Sequence, residues 1–96
     1  MANVMGKSPF FIDTTTGATF QGKFFPARVR WVGAGDGDRC VIHRYGGSAA
    51  DSEAIWESNA VGADFETETY YDDTDFWPEG FQVSVLEGGR LYIHYR

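Results

Sequence analysis

Apolar and polar side chains alternate along residues 24–45, and this two-residue period constrains the fold more than any other feature of the chain. The residues on one side of the extended stretch are Ala27, Val29 and Trp31. Arg28 and Arg30 fall on the other side, residues 33–39 supply a loop rich in Gly and Asp, and residues 40–42 resume an apolar run. The pattern predicts a β-hairpin with one buried side and one outward arginine side.

Other segments also have strand composition. In residues 81–96 two alternating arms flank Gly88 and Gly89, which predicts a second hairpin. Residues 18–23 are expected to pair back onto the strand before them, and residues 46–52 to form a turn. Further predicted strands occupy residues 10–16, 53–58 and 65–71, the last with the charges typical of an edge strand. Because no stretch has helical periodicity, we predict an all-β fold, a small antiparallel β-sandwich or barrel of about seven to eight short strands.

The chain has 96 residues and one cysteine, Cys40. This length predicts a single β domain over residues 10–96, preceded by a flexible N-terminal arm over residues 1–9. A lone cysteine excludes an intrachain disulfide, and no apolar stretch is long enough for a signal peptide or a transmembrane span. We therefore expect the protein to fold in a reducing cytoplasm.

Charge is distributed unevenly along a chain whose net charge is −6. Residues 1–44 hold most of the Lys and Arg, whereas residues 45–89 hold only acidic residues among the charged types. The acidic balance argues against nucleic acid and against an anionic membrane as partners. Three uses of the asymmetry remain open: basic strands beside acidic ones in one subunit, complementary patches between subunits, or a solvated acidic surface.

The sequence contains no residue pattern typical of catalysis or metal binding, so we predict no enzymatic activity, no cofactor and no metal site. The two histidines, His43 and His94, lack zinc-ligand spacing and are expected to be partly exposed on strands. Asp36 and Asp38 lie in a Gly-rich loop without the ligand series of an EF-hand. A small hydrolase would need a cleft that brings one of these histidines to carboxylates, and a Cys40–His dyad would need an activated thiol.

The positions of the aromatic residues say more about function than these catalytic and metal-binding patterns do. Phe76 and Trp77 lie in an acidic segment, where large rings need a partner. Three interpretations remain: a lid over one end of the sandwich, an anchor in a partner's pocket, or a carbohydrate-binding module that stacks sugars on Trp77, Tyr70 and Tyr71.

Four segments follow one another in the chain: a basic-apolar strand ending in Trp (residues 27–33), a Gly-Asp loop with an apolar strand (37–42), a short strand (54–57) and a terminal hairpin (80–93). An acidic segment separates the last two. Over residues 27–95 this arrangement resembles a group of small virion proteins of tailed bacteriophages.

The resemblance implies a structural protein of the virion, made and folded in the host cytoplasm, that decorates or cements the capsid by binding the major capsid protein. A minor head–tail or tail component is the alternative, and a homo-oligomer, a dimer or a trimer, is expected. From the residues themselves, partner contacts are expected where rings or arginines lie beside charged or mobile stretches. These residues are Phe10, Phe11, Arg28, Arg30, Phe76 and Trp77.

Overall fold

The computed structural model describes residues 3–6, 8–46 and 54–96, which form eight β-strands. They are β1 (Phe10–Ile12), β2 (Thr19–Gln21), β3 (Pro26–Ala34), β4 (Arg39–His43), β5 (Ala54–Asn59), β6 (Phe65–Tyr70), β7 (Gly80–Leu86) and β8 (Arg90–Tyr95). No helix in this part of the chain is long and apolar enough to cross a membrane. The all-β prediction is confirmed, including the strand number.

Two antiparallel four-stranded sheets make up the fold. Sheet I has the order β1-β8-β3-β6 and sheet II has the order β2-β7-β4-β5. These orders are those of a jelly roll, an eight-stranded sandwich built from two Greek keys. Among consecutive strands only β4 and β5 pair with each other, so every other connection leads to the opposite sheet. The β6 strand lies at the edge of sheet I, as its charged sequence predicts.

The hairpin predicted over residues 24–45 is wrong, because β3 belongs to sheet I and β4 to sheet II. Val29 and Trp31 pair instead with Ile93 and Leu91 of β8. The loop between β3 and β4 crosses the sandwich and is held by backbone hydrogen bonds to Ala60, which follows β5. Burial of the apolar sides of both strands in a common core favours this crossing over local pairing.

The hairpin predicted over residues 81–96 is also wrong. Its two arms are β7 and β8, which lie in different sheets. Residues 18–23 likewise do not pair with the first strand, since β2 pairs with β7, and that first strand ends at Ile12. The turn predicted at residues 46–52 lies outside the described residues except for Gly46.

The core fills the space between the sheets. Sheet I contributes Phe10, Ile12, Val29, Trp31, Leu91 and Ile93, and sheet II contributes Cys40, Ile42, Trp56, Phe81 and Val83. One end of this core is almost wholly aromatic. There the ring of Phe24 lies 5.0 Å from Phe81 and 5.6 Å from Phe10 at edge-to-face angles, and it stacks on Trp77 at 5.4 Å. Such pairs add stability beyond the area that they bury.

Part of the predicted N-terminal arm packs against β1. Val4 exchanges two backbone hydrogen bonds of 2.8 Å with Phe11. The Asn3 side chain accepts hydrogen bonds from the amides of Asp13 and Thr14 and donates to the carbonyl of Thr16. Residues 3–6 therefore lie on the sheet rather than extending away from it; residues 1, 2 and 7 of the arm lie outside the described residues.

We predict that Gly80→Ala destabilises the fold strongly. Gly80 begins β7 at φ +88°, and a Cβ there would overlap the backbone oxygen of Phe20 on the paired strand β2. Gly37→Ala is the matched control, since Gly37 has φ +85° but a Cβ there has no neighbour within 4 Å. We expect about 1–2 kcal/mol of lost stability for the control and more than about 3 kcal/mol for Gly80→Ala, measured by urea unfolding. Equal losses would contradict this account.

A candidate protein-contact surface on sheet I

The outward side of sheet I carries Arg28 and Arg30, as the alternation predicts. Val29 and Trp31 between and beside them have no exposed surface, so the arginines must point away from the core. The antiparallel register then sets their neighbours on the adjacent strands. The side chains that share this surface, called the arginine face, are Phe11, Arg28, Arg30, Glu68, Tyr70, Tyr92 and His94.

A single carboxylate serves both arginines. Glu68 Oε1 lies 3.3 Å from Arg30 Nε and 3.7 Å from Arg28 Nη1. The other oxygen, Oε2, accepts a hydrogen bond of 3.1 Å from the Tyr70 hydroxyl. Within the described residues, the terminal guanidinium nitrogens of Arg30 donate no hydrogen bond. These nitrogens can therefore receive a carboxylate from outside the chain.

Aromatic rings hold the two guanidinium groups in place. The Arg30 guanidinium lies 5.4 Å from the centre of the Tyr92 ring, and that of Arg28 lies 5.9 Å from the Tyr70 ring. Phe11 packs edge-on against Tyr92 at 5.3 Å. Cation–π contacts of this kind limit side-chain motion before a partner arrives, which lowers the entropy lost on binding.

His94 completes the face beside Arg28. Arg28 Nη2 lies 3.0 Å from His94 Nε2, and because a guanidinium only donates, Nε2 must accept and the imidazole must be neutral. Partial burial lowers the pKa of His94 below its ordinary value of 6.5, and the positive charges of Arg28 and Arg30 lower it further. Glu68 acts in the opposite direction.

The six predicted contact residues lie in different places. Phe11, Arg28 and Arg30 come together on the arginine face. Phe10 is 1% exposed and Trp77 is 7% exposed, so both rings belong to the core and neither is presented to a partner in this conformation. Phe76 is 46% exposed and contacts Phe25 and Lys23 at the aromatic end of the sandwich.

Neighbouring positions explain the difference between Phe76 and Trp77. Trp77 forms a backbone bridge with Phe24, which turns its indole onto the Phe24 and Phe81 rings. Phe76, one residue earlier, points the other way and contacts Phe25 and Lys23 at the surface. Of the two rings, Trp77 therefore serves as the predicted lid over the end of the sandwich.

The predicted sugar-stacking platform does not form in this structure. Tyr70 is 69% exposed, but Trp77 is buried and Tyr71 packs edge-on against it at 5.7 Å. Burial, together with the charge of Asp75, raises the pKa of the Tyr71 hydroxyl to about 12. A flat platform needs several rings presented to solvent together, and of the three proposed rings only Tyr70 is well exposed.

The remaining residues considered for metal binding or catalysis are buried or hydrogen-bonded within the fold. His43 is 2% exposed, so the expectation that it is partly exposed is wrong; its Nδ1 lies 2.8 Å from the carbonyl of Arg44. Cys40 is fully buried, which raises the pKa of its thiol to about 12. Asp38 accepts a hydrogen bond from the Gly35 amide within its own loop, and Asp36 accepts one from the Gly62 amide between β5 and β6. The described residues include no group of three or more His, Cys, Asp or Glu placed to hold a metal ion.

Ion pairs join the basic first half of the chain to its acidic second half. Arg28 and Arg30 pair with Glu68, Arg39 pairs with Glu57, and Arg44 pairs with Glu79. The intramolecular use of the charge asymmetry is therefore confirmed. All these pairs are partly exposed, so each contributes little stability by itself.

Sequence reasoning did not place four residues beside Arg28 and Arg30: Glu68 and Tyr92, which it did not single out, and Tyr70 and His94, which it considered only for other roles. Each of the four is next to a more buried residue in its strand, so the alternating sequence pattern already indicates that its side chain points outward. Their position beside Arg28 and Arg30 depends on the order and register of strands distant in sequence, which no local pattern carries.

Comparisons of the chain with protein-family models, with curated proteins and with solved structures found no match.

We predict that His94 makes the protein less stable in mild acid. A pKa that is lower in the folded than in the unfolded chain contributes stability above the unfolded value near 6.5, which is lost as the pH falls through the folded value. As the pH is lowered from about 7 to about 5, the melting temperature of the unmodified protein should therefore fall further than that of His94→Gln. The other titrating groups are common to both proteins and cancel in the difference.

The source of this shift can be tested separately by NMR titration of His94. Arg28→Met should raise the pKa of His94, whereas Arg39→Met, which removes an equal charge from sheet II, should leave it unchanged. Parallel melting curves in the first experiment, or equal shifts in the second, would contradict the contact between Arg28 and His94.

Proposed function

We propose that this protein is a non-enzymatic structural protein of a tailed-phage particle that decorates or cements the capsid by binding the major capsid protein. The resemblance over residues 27–95 supports the class of protein. The jelly roll is compatible with it, because viral capsid domains use this architecture, although lectins and cupins use it too. The observation that carries the proposal is the arginine face, where the terminal nitrogens of Arg30 donate no hydrogen bond to the described residues.

The geometry suits recognition of a carboxylate on a rigid partner. A carboxylate that approaches Arg30 can be bound by two parallel hydrogen bonds to its terminal nitrogens. The Tyr92 ring beneath the guanidinium and the Phe11 ring beside it offer apolar surface that excludes water from the contact. Each copy then adds a modest free energy, and a regular shell multiplies it by the number of copies.

A minor head–tail or tail component would use the same surface and the same chemistry, so location distinguishes it from a capsid protein. The carbohydrate-binding alternative receives less support, because of its three proposed rings only Tyr70 is well exposed.

We predict that Arg30→Ala weakens binding to capsids without unfolding the protein. Removing one partner of a desolvated ion pair costs about 2 kcal/mol or more, which is roughly thirty-fold in affinity. Arg39→Ala is the matched control, since Arg39 is a strand arginine on sheet II that also pairs with a glutamate. Binding is measured by co-sedimentation of purified protein with capsids that lack it, and melting temperature checks the fold.

Mass spectrometry and reconstruction of particles from the encoding phage test the proposal itself. Many copies on the capsid lattice are expected. A few copies at the neck or tail would support the alternative component instead, and absence from purified virions would reject both. Equal loss of capsid binding in Arg30→Ala and Arg39→Ala would reject the arginine face as the contact.

A further inference from the structure

The aromatic end of the sandwich contains a cavity of about 300 Å³ that is open to solvent and has no lining residue in common with the arginine face. Its apolar walls are the rings of Phe10, Phe20, Phe24, Phe25 and Tyr95. Phe25 and Tyr95 are 41% and 36% exposed, so the entrance is itself aromatic. A cavity of roughly 150 Å³ already holds benzene, so this one has room for a large side chain.

Two cations line the cavity, but only one is available to a ligand. The Arg96 guanidinium donates to the backbone carbonyls of Pro26, Asp72, Asp73 and Asp75 at 2.6–3.0 Å, so it secures the loop after β6. The Lys23 ammonium has no carboxylate within 4.0 Å among the described residues, and lies 5.0 Å from the Phe76 ring and 6.0 Å from the Phe25 ring. Among residues 3–6, 8–46 and 54–96, no carboxylate therefore pairs with this positive charge at the edge of the apolar cavity.

We propose that this cavity binds an apolar side chain of a partner peptide segment that carries a carboxylate on an adjacent residue. The apolar side chain, for which a phenyl ring has the right size and shape, enters among Phe20, Phe24 and Phe25, and the carboxylate meets the Lys23 ammonium. The aspartates behind Arg96 do not line the cavity, which leaves Lys23 to select the charge of the ligand. The site goes beyond the proposed capsid contact, because it uses none of the residues of the arginine face and recognises a side chain by insertion.

Four acetylated and amidated tetrapeptides test the proposal with the isolated protein: Ala-Phe-Glu-Ala, Ala-Phe-Gln-Ala, Ala-Phe-Lys-Ala and Ala-Ala-Glu-Ala. Binding is followed by amide shifts in NMR spectra. We expect Ala-Phe-Glu-Ala to shift the amide resonances of Phe20, Phe24, Phe25 and Tyr95. It should bind about two- to five-fold more tightly than the Gln peptide, which is the contribution of one exposed ion pair. The Lys peptide should bind more weakly than the Gln peptide, and the peptide without Phe should not bind.

Variants separate the two parts of the site. Lys23→Met should remove the preference for the Glu peptide while leaving binding of the Gln peptide in place; Arg39→Met, with the same charge change on sheet II, should preserve the preference. Phe25→Ala should weaken the binding of the Glu peptide and of the Gln peptide by the same factor.

Three results would overturn the proposal: no shifts at the lining residues, binding of the Lys peptide as tight as that of the Glu peptide, or binding of free phenylacetate with no binding of any peptide. The assay uses no phage particle, so its outcome is independent of the capsid experiments.

Discussion

The burial of Val29 and Trp31 in the centre of sheet I is the constraint on which the rest of the structure depends. Both have no exposed surface, and the indole of Trp31 also donates a hydrogen bond of 2.9 Å to the carbonyl of Gly88 in the loop that enters β8. A slip of one residue in the register of β3 would place Arg28 and Arg30 in the core, where an unpaired charge is very costly. The same alternation therefore fixes the core and holds the arginine face outward.

This alternation explains how much of the fold could be predicted from the sequence. Period-two patterns identify the strands because burial of one side is a local property, and no stretch competes with helical spacing. Strand pairing is not local: the glycines between β7 and β8 suit a tight hairpin turn and a crossing between sheets equally well, with Gly89 at φ +77°. The pairing of Leu91 and Ile93 with β3, some 60 residues earlier, decides between the hairpin and the crossing. No local sequence pattern shows this pairing.

The candidate site divides in the same way. The outward direction of Arg28 and Arg30 follows from their own strand, so sequence reasoning finds them. Glu68 and His94 become their partners only through the β3–β6 and β3–β8 registers. Phe76 and Trp77 are treated alike by composition, yet one backbone bridge to Phe24 sends Trp77 into the core and leaves Phe76 at the surface.

The net charge of −6 sets how the arginine face can work. An acidic partner is repelled by the whole molecule at long range, so the face gains nothing from electrostatic steering. At physiological salt, screening acts over about 8 Å, whereas the contacts on this face span 3–6 Å. Attraction therefore begins only when a carboxylate is already near Arg30, and recognition rests on fit. In the capsid contact proposed above, a surface of this kind discriminates by geometry, and the regular array supplies through copy number the affinity that a single carboxylate contact lacks.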